Sequence, residues 1–390
     1  MKNLLIYSIL TYLLCTINSF SITQAADDGL ENEKVLKIGV LLPLSGKFQE
    51  TGQSFLKAIQ LALKDIGNKN IKIYPKDSKA NALDAYLSAK EFQEMGIKVV
   101  IGPIFFESLE RLKELNDIIF ISLTNRTQNV PKNTIAFGIN INSQIDTLEK
   151  YFNEIKFTKT LLFSPKSEFE YQTDIFKNSE LNFYRTFLYN SSPKKITGEI
   201  EKITNYRERK KDLERRIKIL EKSDLYKDKN ELILLEQKHT LGEINFDSVL
   251  ILDFGERLKS VLTSFMFSDV SSKKVDFFTI NQWFDNSFFN ENALQNLYFP
   301  SVDFKNINRF DKKFTKTFNE KSNAVSILAY DALGLIYYCW SSNNFQFKKE
   351  QLFNKKGFKG LHGEFFIENN LSKQKLKIYK VSEDKFIKVY

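Results

Sequence analysis

The segment Val35-Leu36-Lys37-Ile38-Gly39-Val40-Leu41-Leu42 is apolar at nearly every position and ends at Pro43. A strand that is covered by helices on both faces has this composition, whereas a half-exposed strand alternates apolar and polar side chains. A helix is predicted next, because apolar side chains recur at helical spacing from Phe55 to Ile66 and Gly67 supplies a stop signal. The segment therefore predicts the first strand and helix of a parallel α/β sheet.

The same alternation of strand and helix continues along the chain. Further strands are predicted at 71–74, 99–102, 118–121, 136–139, 160–163, 187–189, 248–252 and 275–278. Strands that alternate with helices argue for a parallel sheet with helices on both faces. The chain has 390 residues, which is too long for one ordinary domain and suits two. The predicted fold class is therefore α/β, with two doubly wound parallel-sheet lobes.

Composition excludes several classes of function. The 57 Lys+Arg and 48 Asp+Glu leave a net charge of +9, and the chain has only two His and two Cys. The chain therefore has too few histidines for a histidine-rich metal site and too few cysteines for a disulfide scaffold. The chain contains no G-x-S-x-G, H-E-x-x-H or G-x-x-x-x-G-K-[ST] motif. We expect no enzymatic activity, no cofactor and no metal site.

The N-terminus has the pattern of a secretory signal peptide, predicted at 1–26. A positive residue precedes an apolar run from Leu4 to Leu14, and small residues allow cleavage near Ala25 or Ala26. The run is too short to cross a bilayer, which takes about 20 residues. An uncleaved membrane anchor and lipidation at Cys15 are the alternatives, although lipidation favours a small preceding residue rather than leucine. We expect a periplasmic protein, not a lipoprotein, with no stable membrane span after cleavage.

Cleavage would leave Cys339 as the only cysteine, which excludes an intrachain disulfide. Its neighbours from Ala332 to Trp340 are apolar on nearly every helical face. We therefore expect a buried, unreactive thiol.

The strand and helix rhythm breaks between 194 and 241, where charges of both signs are dense. Leu213, Ile217 and Leu220 form a thin apolar seam, and Leu232 to Leu235 begins a second one. The pattern predicts a charged helical hairpin inserted in the second lobe. It is either a docking arm or a solvated insertion without a partner. Nucleic-acid binding is not expected, because the basic residues are interleaved with acidic ones.

Five segments carry a resemblance to a known family. They are Lys37-Ile38-Gly39-Val40-Leu41-Leu42-Pro43-Leu44-Ser45-Gly46, Gly96-Ile97-Lys98-Val99-Val100-Ile101-Gly102-Pro103, Ile121-Ser122, Ala329-Tyr330-Asp331-Ala332-Leu333 and Gly360-Leu361-His362-Gly363 with Phe365-Phe366. In this order they resemble type I periplasmic solute-binding proteins of the leucine/isoleucine/valine-binding family. The resemblance implies two hinged lobes: 35–138 with about 302–367, and 139–301 with about 372–390.

A second resemblance is to the penicillin-binding protein activators within that family. It rests on Phe278-Thr279-Ile280-Asn281-Gln282-Trp283-Phe284-Asp285, on Asn125-Arg126 and on the charged insertion. Activators of this branch keep the binding-protein fold and are thought to act on peptidoglycan synthases by contact. Their enterobacterial members are outer-membrane lipoproteins. This chain departs from that pattern, because the residue before Cys15 is a leucine rather than a small residue.

Ligands of doubly wound sheets sit outside the carboxyl ends of the strands, which points to particular loops. The candidate ligand-binding residues are Ser45, Phe105, Phe106, Ser108, Thr124, Asn125 and Arg126 in the first lobe and Tyr171, Asp253, Gln282 and Trp283 in the second. Amino-acid-binding members carry small hydroxyl residues after the third strand, where this chain has Phe105-Phe106. The alternatives are a loop or cap role for each hydroxyl, filling of the cleft by the two phenylalanines, a surface ion pair for Arg126 and interlobe packing for Trp283.

Two functions follow from the resemblance. The principal expectation is a non-enzymatic binding protein of a branched-chain amino acid ABC transporter, with an amino acid or similar ligand in the cleft and an ABC permease as partner. The alternative is a penicillin-binding protein activator, with a peptidoglycan synthase as partner.

Overall fold

The computed structural model describes residues 35–166, 174–176, 178–190, 192–280, 289 and 291–390. The strands are β1 (Leu36–Leu42), β2 (Ile71–Asp77), β3 (Val99–Ile101), β4 (Ile119–Ser122), β5 (Thr134–Ala136), β6 (Thr160–Pro165), β7 (Phe183–Tyr189), β8 (Ser248–Ile251), β9 (Asp276–Thr279), β10 (Leu297–Ser301), β11 (Phe358–Lys359), β12 (Glu364–Glu368), β13 (Leu371–Gln374), β14 (Lys377–Ser382) and β15 (Lys385–Lys388). The helices are α1 (Gln49–Ile66), α2 (Ala82–Glu94), α3 (Ile141–Ile155), α4 (Pro193–Ile203), α5 (Tyr206–Leu220), α6 (Tyr226–Glu236), α7 (Gly255–Phe267), α8 (Phe304–Phe318) and α9 (Ile327–Ser341).

The strands form two sheets with the same winding. Sheet A has the order β11-β12-β13-β5-β4-β3-β1-β2, and sheet B has the order β15-β14-β10-β9-β8-β6-β7. Six neighbouring strands of sheet A run parallel, since β13 pairs parallel with β5, and five strands of sheet B do so. Strands from the C-terminal part of the chain add antiparallel pairs at one edge of each sheet. We call sheet A with its helices lobe 1, and sheet B with its helices lobe 2. The predicted α/β class with two doubly wound lobes is confirmed.

The opening strand is apolar throughout because both of its faces are covered. Ile38, Val40 and Leu42 belong to the core cluster beneath α1 and α9. Leu41 belongs to the opposite cluster, beneath α2. Gly39 lies on the α2 side, where a Cβ would come within about 3 Å of the Val100 side chain. The absence of a side chain at this position therefore lets α2 pack closely on the sheet.

The end of β1 approaches α1 closely at a second glycine. A Cβ on Gly52 would lie 1.9 Å from the carbonyl oxygen of Pro43. No side chain can occupy that space, so glycine is required for the first turn of α1 to meet the loop after β1.

Helix α9 is an internal element of lobe 1. The stretch Ala324–Ser341 is long and apolar enough to cross a membrane, and 61% of it is buried inside the protein. Its buried side chains, including Leu328 and Ala332, pack in the core cluster that also contains residues of α1. Burial of this kind is what a helix packed on a sheet in the core of an α/β domain shows.

The lobes are joined at a buried polar junction, which we define as residues 137–143 and 371–377. The Gln374 side-chain amide donates to the carbonyl oxygens of Phe137 and Gly138, each at 3.2 Å. The Ser143 hydroxyl donates to the Gln374 side-chain oxygen at 3.0 Å. Since buried polar groups must find partners, this network fixes the path of the chain between the lobes.

The predicted hairpin at 194–241 is wrong at its N-terminal end. Helix α4 is the crossover helix between β7 and β8, and its Ile196 and Ile200 are fully buried in the core of lobe 2. Because these two isoleucines are four residues apart, only one narrow stripe of the helix is buried. Its other side chains are mostly polar, so its composition could not be told from that of the insertion that follows. We therefore use "the insertion" for residues 204–245, which contain α5 and α6.

The two helices of the insertion pack on a small apolar seam. Leu213, Leu220 and Leu235 are buried in it. The Arg216 guanidinium also donates twice to the Glu231 carboxylate, at 2.9 and 2.8 Å. The second predicted seam is only half correct, because Ile233 and Leu234 in the middle of that run point to solvent.

Candidate functional site

A cavity of about 430 Å³ lies at the carboxyl ends of the lobe 1 strands. Its lining comes from the loops after β3, β4 and β5 and from the start of α9. The lining residues are Ile104, Phe105, Phe106, Glu107, Leu123, Thr124, Asn125, Arg126, Gly138, Ile139, Val325 and Leu328. The structure thus brings together five of the predicted site residues: Phe105, Phe106, Thr124, Asn125 and Arg126.

Two aromatic rings line this cavity, and both are half-buried. The Phe105 ring packs on Phe48, with ring centroids 4.5 Å apart. The Arg126 guanidinium lies 4.1 Å from the centroid of the Phe106 ring, in cation–π geometry. Arg126 itself is exposed, so the cavity combines an apolar wall with an accessible positive charge.

The loop after β4 supplies a tightly held backbone. The amide of Arg126 donates to the Thr124 hydroxyl at 3.3 Å. The amide of Gly138 donates to the Thr124 carbonyl oxygen at 2.9 Å, and a Cβ on Gly138 would lie 2.4 Å from that oxygen. The Thr124 hydroxyl therefore already accepts a bond, while Asn125 beside it is exposed.

Ser45 makes its bonds within lobe 1 rather than towards the cavity. Its hydroxyl donates to the Asp77 carboxylate at 2.5 Å, and the amides of Leu44 and Lys79 donate to the same carboxylate at 2.8 Å. Burial alone would raise the pKa of Asp77, but these hydrogen bonds outweigh it and hold that pKa below its ordinary value. Ser45 thus joins the loop after β1 to the end of β2.

Ser108 lies in the first of two short 3-10 turns after β3 and is fully buried. Its hydroxyl has no hydrogen-bond partner among the described residues, and it does not line the cavity. A hydroxyl that is fully buried outside the cavity lining does not contact a ligand in this arrangement.

Asp253 is a completely buried carboxylate at the end of β8 in lobe 2. It accepts hydrogen bonds from the Arg257 guanidinium at 2.9 Å, from the Phe254 amide at 2.8 Å and from the Tyr189 hydroxyl. A buried carboxylate needs such partners because an unpaired buried charge is very costly. The Asp253 carboxylate therefore stabilises the first turn of α7. Arg257 already supplies the positive charge that the ammonium group of a ligand would otherwise provide.

The other lobe 2 candidates, Tyr171, Gln282 and Trp283, lie outside the described residues. Their proposed contacts with a ligand remain predictions.

Sequence reasoning missed a buried pair in lobe 1. The Asp331 carboxylate on α9 accepts bonds from the amides of Leu361 and His362, at 2.8 and 2.7 Å, and from the His362 ring. A Cβ on Gly360 would lie 2.5 Å from this carboxylate, which explains the glycine. The only available signal was an aspartate in an otherwise apolar helix. The His362 ring stacks on Phe365, 4.9 Å between centroids, and is almost completely buried, so the pair secures the turn before β12.

Cys339 is buried on α9, as predicted, and burial raises the pKa of its thiol to about 12. A thiol with that pKa carries almost no thiolate at neutral pH. Within the described part of the chain, no group of three or more His, Cys, Asp or Glu side chains could hold a metal ion.

A family model described as periplasmic binding protein matches residues 35–174. Among solved structures, the C-domain of LpoA (YraM) from Haemophilus influenzae, a regulator of PBP1A, aligns with 91% of this chain and 100% of its own length, at 14% identity and a TM-score of 0.62. The isoleucine complex of LivJ, a branched-chain amino acid transporter substrate binding protein from Streptococcus pneumoniae, aligns over 91% and 100%, at 15% identity and a TM-score of 0.54.

The chain has the fold of a type I periplasmic binding protein. The resemblance seen in the sequence is therefore confirmed, and both branches of it have structural neighbours. Full-length LpoA from Haemophilus influenzae also aligns with 91% of this chain, at 14% identity and a TM-score of 0.63, but this chain spans only 59% of that protein. No curated protein matches the sequence.

In this type I periplasmic binding protein fold, the cavity lies where ligands of doubly wound sheets sit. Two described side chains of opposite charge, Glu107 and Arg126, line it, whereas Ser45, Ser108 and Asp253 do not. Ser45 and Asp253 are engaged within their own lobes, and Ser108 is buried. The cavity offers an accessible guanidinium and the exposed Glu107 carboxylate beside an apolar wall.

Proposed function

We propose that the protein is exported and regulates peptidoglycan synthesis by direct contact with a synthase, without catalysing a reaction itself. The observation that carries the proposal is the outward face of α6 in the insertion. Tyr226, Ile233 and Leu234 share this face at spacings of seven and eight residues, and all three are exposed. Contiguous exposed apolar surface marks interaction sites in soluble proteins.

The insertion is anchored firmly enough to present that face. The buried Arg209 guanidinium donates to the carbonyl oxygen of Ser268 at 3.3 Å and to the Thr240 hydroxyl at 2.5 Å. It therefore ties both ends of the insertion to the turn after α7. Anchoring reduces the entropy that binding must overcome, because the helices are ordered before the partner arrives.

The engagement of Ser45 and Asp253 within their own lobes and the likeness to the LpoA C-domain support the regulatory proposal over transport of a free amino acid. We propose that the partner is a peptidoglycan synthase of the penicillin-binding type. The cleft would then serve the stability or the shape of the protein rather than carry a nutrient.

Binding of the purified protein to the synthase from the same organism tests the proposal by biolayer interferometry. The variant carries Ile233→Ser and Leu234→Ser, which remove side chains that are 56% and 63% exposed. The control carries Leu83→Ser and Leu87→Ser on α2, which are 53% and 52% exposed. We expect at least tenfold weaker binding in the first variant and no change in the control. Absence of binding by the unaltered protein, or equal weakening in both variants, would contradict the proposal.

A second candidate is the ligand-binding component of an ABC transporter, acting with a permease. Arg126 over the Phe106 ring favours it, because a guanidinium beside an apolar wall suits a small carboxylate with an apolar body. A thermal-shift screen of amino acids and apolar carboxylates tests it. Ligand at 100 times its Kd adds about 2.7 kcal/mol of stability. A shift that disappears in Arg126→Gln would support transport, and no shift with any compound would count against it.

A further inference from the structure

A second cavity, of about 360 Å³, lies at the junction between the lobes. Its walls come from α3 in lobe 2, from β12 in lobe 1, from the chain that crosses between the lobes at 373–377, and from Tyr390. It is separate from the cavity at the carboxyl ends of β3 and β4, with which it shares no lining residue.

The lining of this junction pocket carries four lysines and one carboxylate: Lys150, Lys373, Lys375 and Lys377, with Asp146. Three further carboxylates lie close by, because Glu364 pairs with Lys375, and Glu149 and Glu368 interact electrostatically with Lys373. Ammonium groups that share one depression repel each other, and apolar walls reduce the screening that water provides. The ammonium groups that lack an ion pair therefore give their part of the pocket a positive potential that an anion would relieve.

Two of the four ammonium groups are available to a ligand. Lys373 pairs with Asp146 at 2.7 Å, and Lys375 pairs with Glu364 at 2.7 Å. Lys150 and Lys377 form no ion pair with any of the described residues, although Lys377 lies close enough to the Glu364–Lys375 pair to interact electrostatically with Glu364.

Aromatic side chains form part of the wall. The Phe366 ring lies under the Lys375 ammonium group, 5.4 Å from its centroid, and the Tyr390 ring packs on Tyr151 at 5.6 Å. These rings give the pocket rigid sides, and its volume falls within the range of small-molecule sites.

We infer that the junction pocket binds a small multivalent anion that carries several phosphate or carboxylate groups. One charged group of the ligand lies near Lys150 on lobe 2, and another lies near Lys377 where the chain enters β14. Because Phe366 on lobe 1 forms the opposite wall, the anion stabilises this arrangement of the two lobes. The site does not depend on the function proposed above.

Isothermal titration calorimetry at about 0.15 M salt tests the inference, with inorganic triphosphate and tricarballylate as separate probes. The variant carries Lys150→Gln and Lys377→Gln. The matched control carries Lys218→Gln and Lys222→Gln, two exposed lysines of the insertion without ion pairs among the described residues, so that the net charge changes equally. Loss of two direct ion contacts should weaken binding at least tenfold, and the control should stay within about twofold.

The result expected is one saturable site per chain for at least one probe, weakened only by the Lys150 and Lys377 changes. No saturable binding of either anion, or equal weakening by both pairs of substitutions, would overturn the inference. Co-sedimentation with phosphatidylglycerol vesicles, lost with Lys150 and Lys377 but without binding of the free anions, would also overturn it and assign the lysines to a membrane surface. Circular dichroism melting shows that each variant is folded.

Discussion

Replacing Arg209 by Met should loosen the insertion from lobe 2. The guanidinium is almost completely buried and donates to the Thr204 and Ser268 carbonyl oxygens, each at 3.3 Å, and to the Thr240 hydroxyl at 2.5 Å. It also lies 3.5 Å from the Asp269 carboxylate. Methionine keeps much of the volume but makes none of these bonds.

The expected loss is about 2–3 kcal/mol of stability. Removal of one partner from a buried ion pair costs about 3–5 kcal/mol, because a buried charge is left alone. Asp269 would not be left alone, since the Lys274 ammonium group stays 2.8 Å away. The guanidinium Nε has no partner among the described residues, so its removal also relieves a desolvation cost. Both effects place the loss below that range.

Urea unfolding followed by circular dichroism measures the total change, and hydrogen exchange with mass spectrometry shows whether peptides from α5 and α6 lose protection first. Arg207→Met is the control, because Arg207 is 79% exposed and its pair with Glu201 should contribute at most about 1 kcal/mol. If the two variants had the same stability and the same exchange, the Arg209 bonds would not anchor the insertion.

Three further outcomes follow from local geometry. Gly52→Ala should lower the melting temperature by several degrees, because its methyl group would clash with a backbone carbonyl. Gly198→Ala, where a Cβ meets nothing within 4 Å, should leave it unchanged or raise it. In a Cys15→Ser background, Cys339 should not react with Ellman's reagent at pH 8 until denaturant is added; rapid reaction in the native protein would refute its burial. Burial raises the pKa of Asp77 but hydrogen bonds lower it further, so its contribution to stability is present above about pH 4 and is lost as the pH falls through the lowered folded-state pKa. Asp77→Asn should therefore reduce the drop in melting temperature between pH 7 and pH 3, and an unchanged drop would argue against these bonds.

The strands were the easiest elements to predict, because their pattern depends on burial by neighbours on both sides. The apolar run that begins at Val35 and the run from Ser248 to Leu252 both became central strands. The insertion was harder. Ile196 and Ile200 fill the core of lobe 2, but two apolar side chains among charged ones look the same in a crossover helix and in a solvated hairpin.

In the candidate site, too, some features could be predicted from the sequence and others could not. Phe105, Phe106, Thr124 and Arg126 were predicted to meet because carboxyl ends of neighbouring parallel strands share one edge, and they do line one cavity. The direction of the Ser108 hydroxyl could not be predicted, because a turn of two or three residues changes which way a side chain points. The Asp331–His362 pair was missed because its members are far apart in the chain.

The sequence by itself indicated the alternation of strands and helices in the parallel part of both sheets and the loops that approach one another, because these depend on the local hydrophobic period. Only the tertiary structure decided which polar groups were already satisfied. Ser45 was a candidate donor and Asp253 a candidate acceptor of hydrogen bonds to a ligand, but the folded protein pairs Ser45 with Asp77 and Asp253 with Arg257. Hydrogen bonding is short-ranged and directional, so the partner of a polar side chain is set by atoms that folding brings within about 3 Å, wherever they lie in the chain.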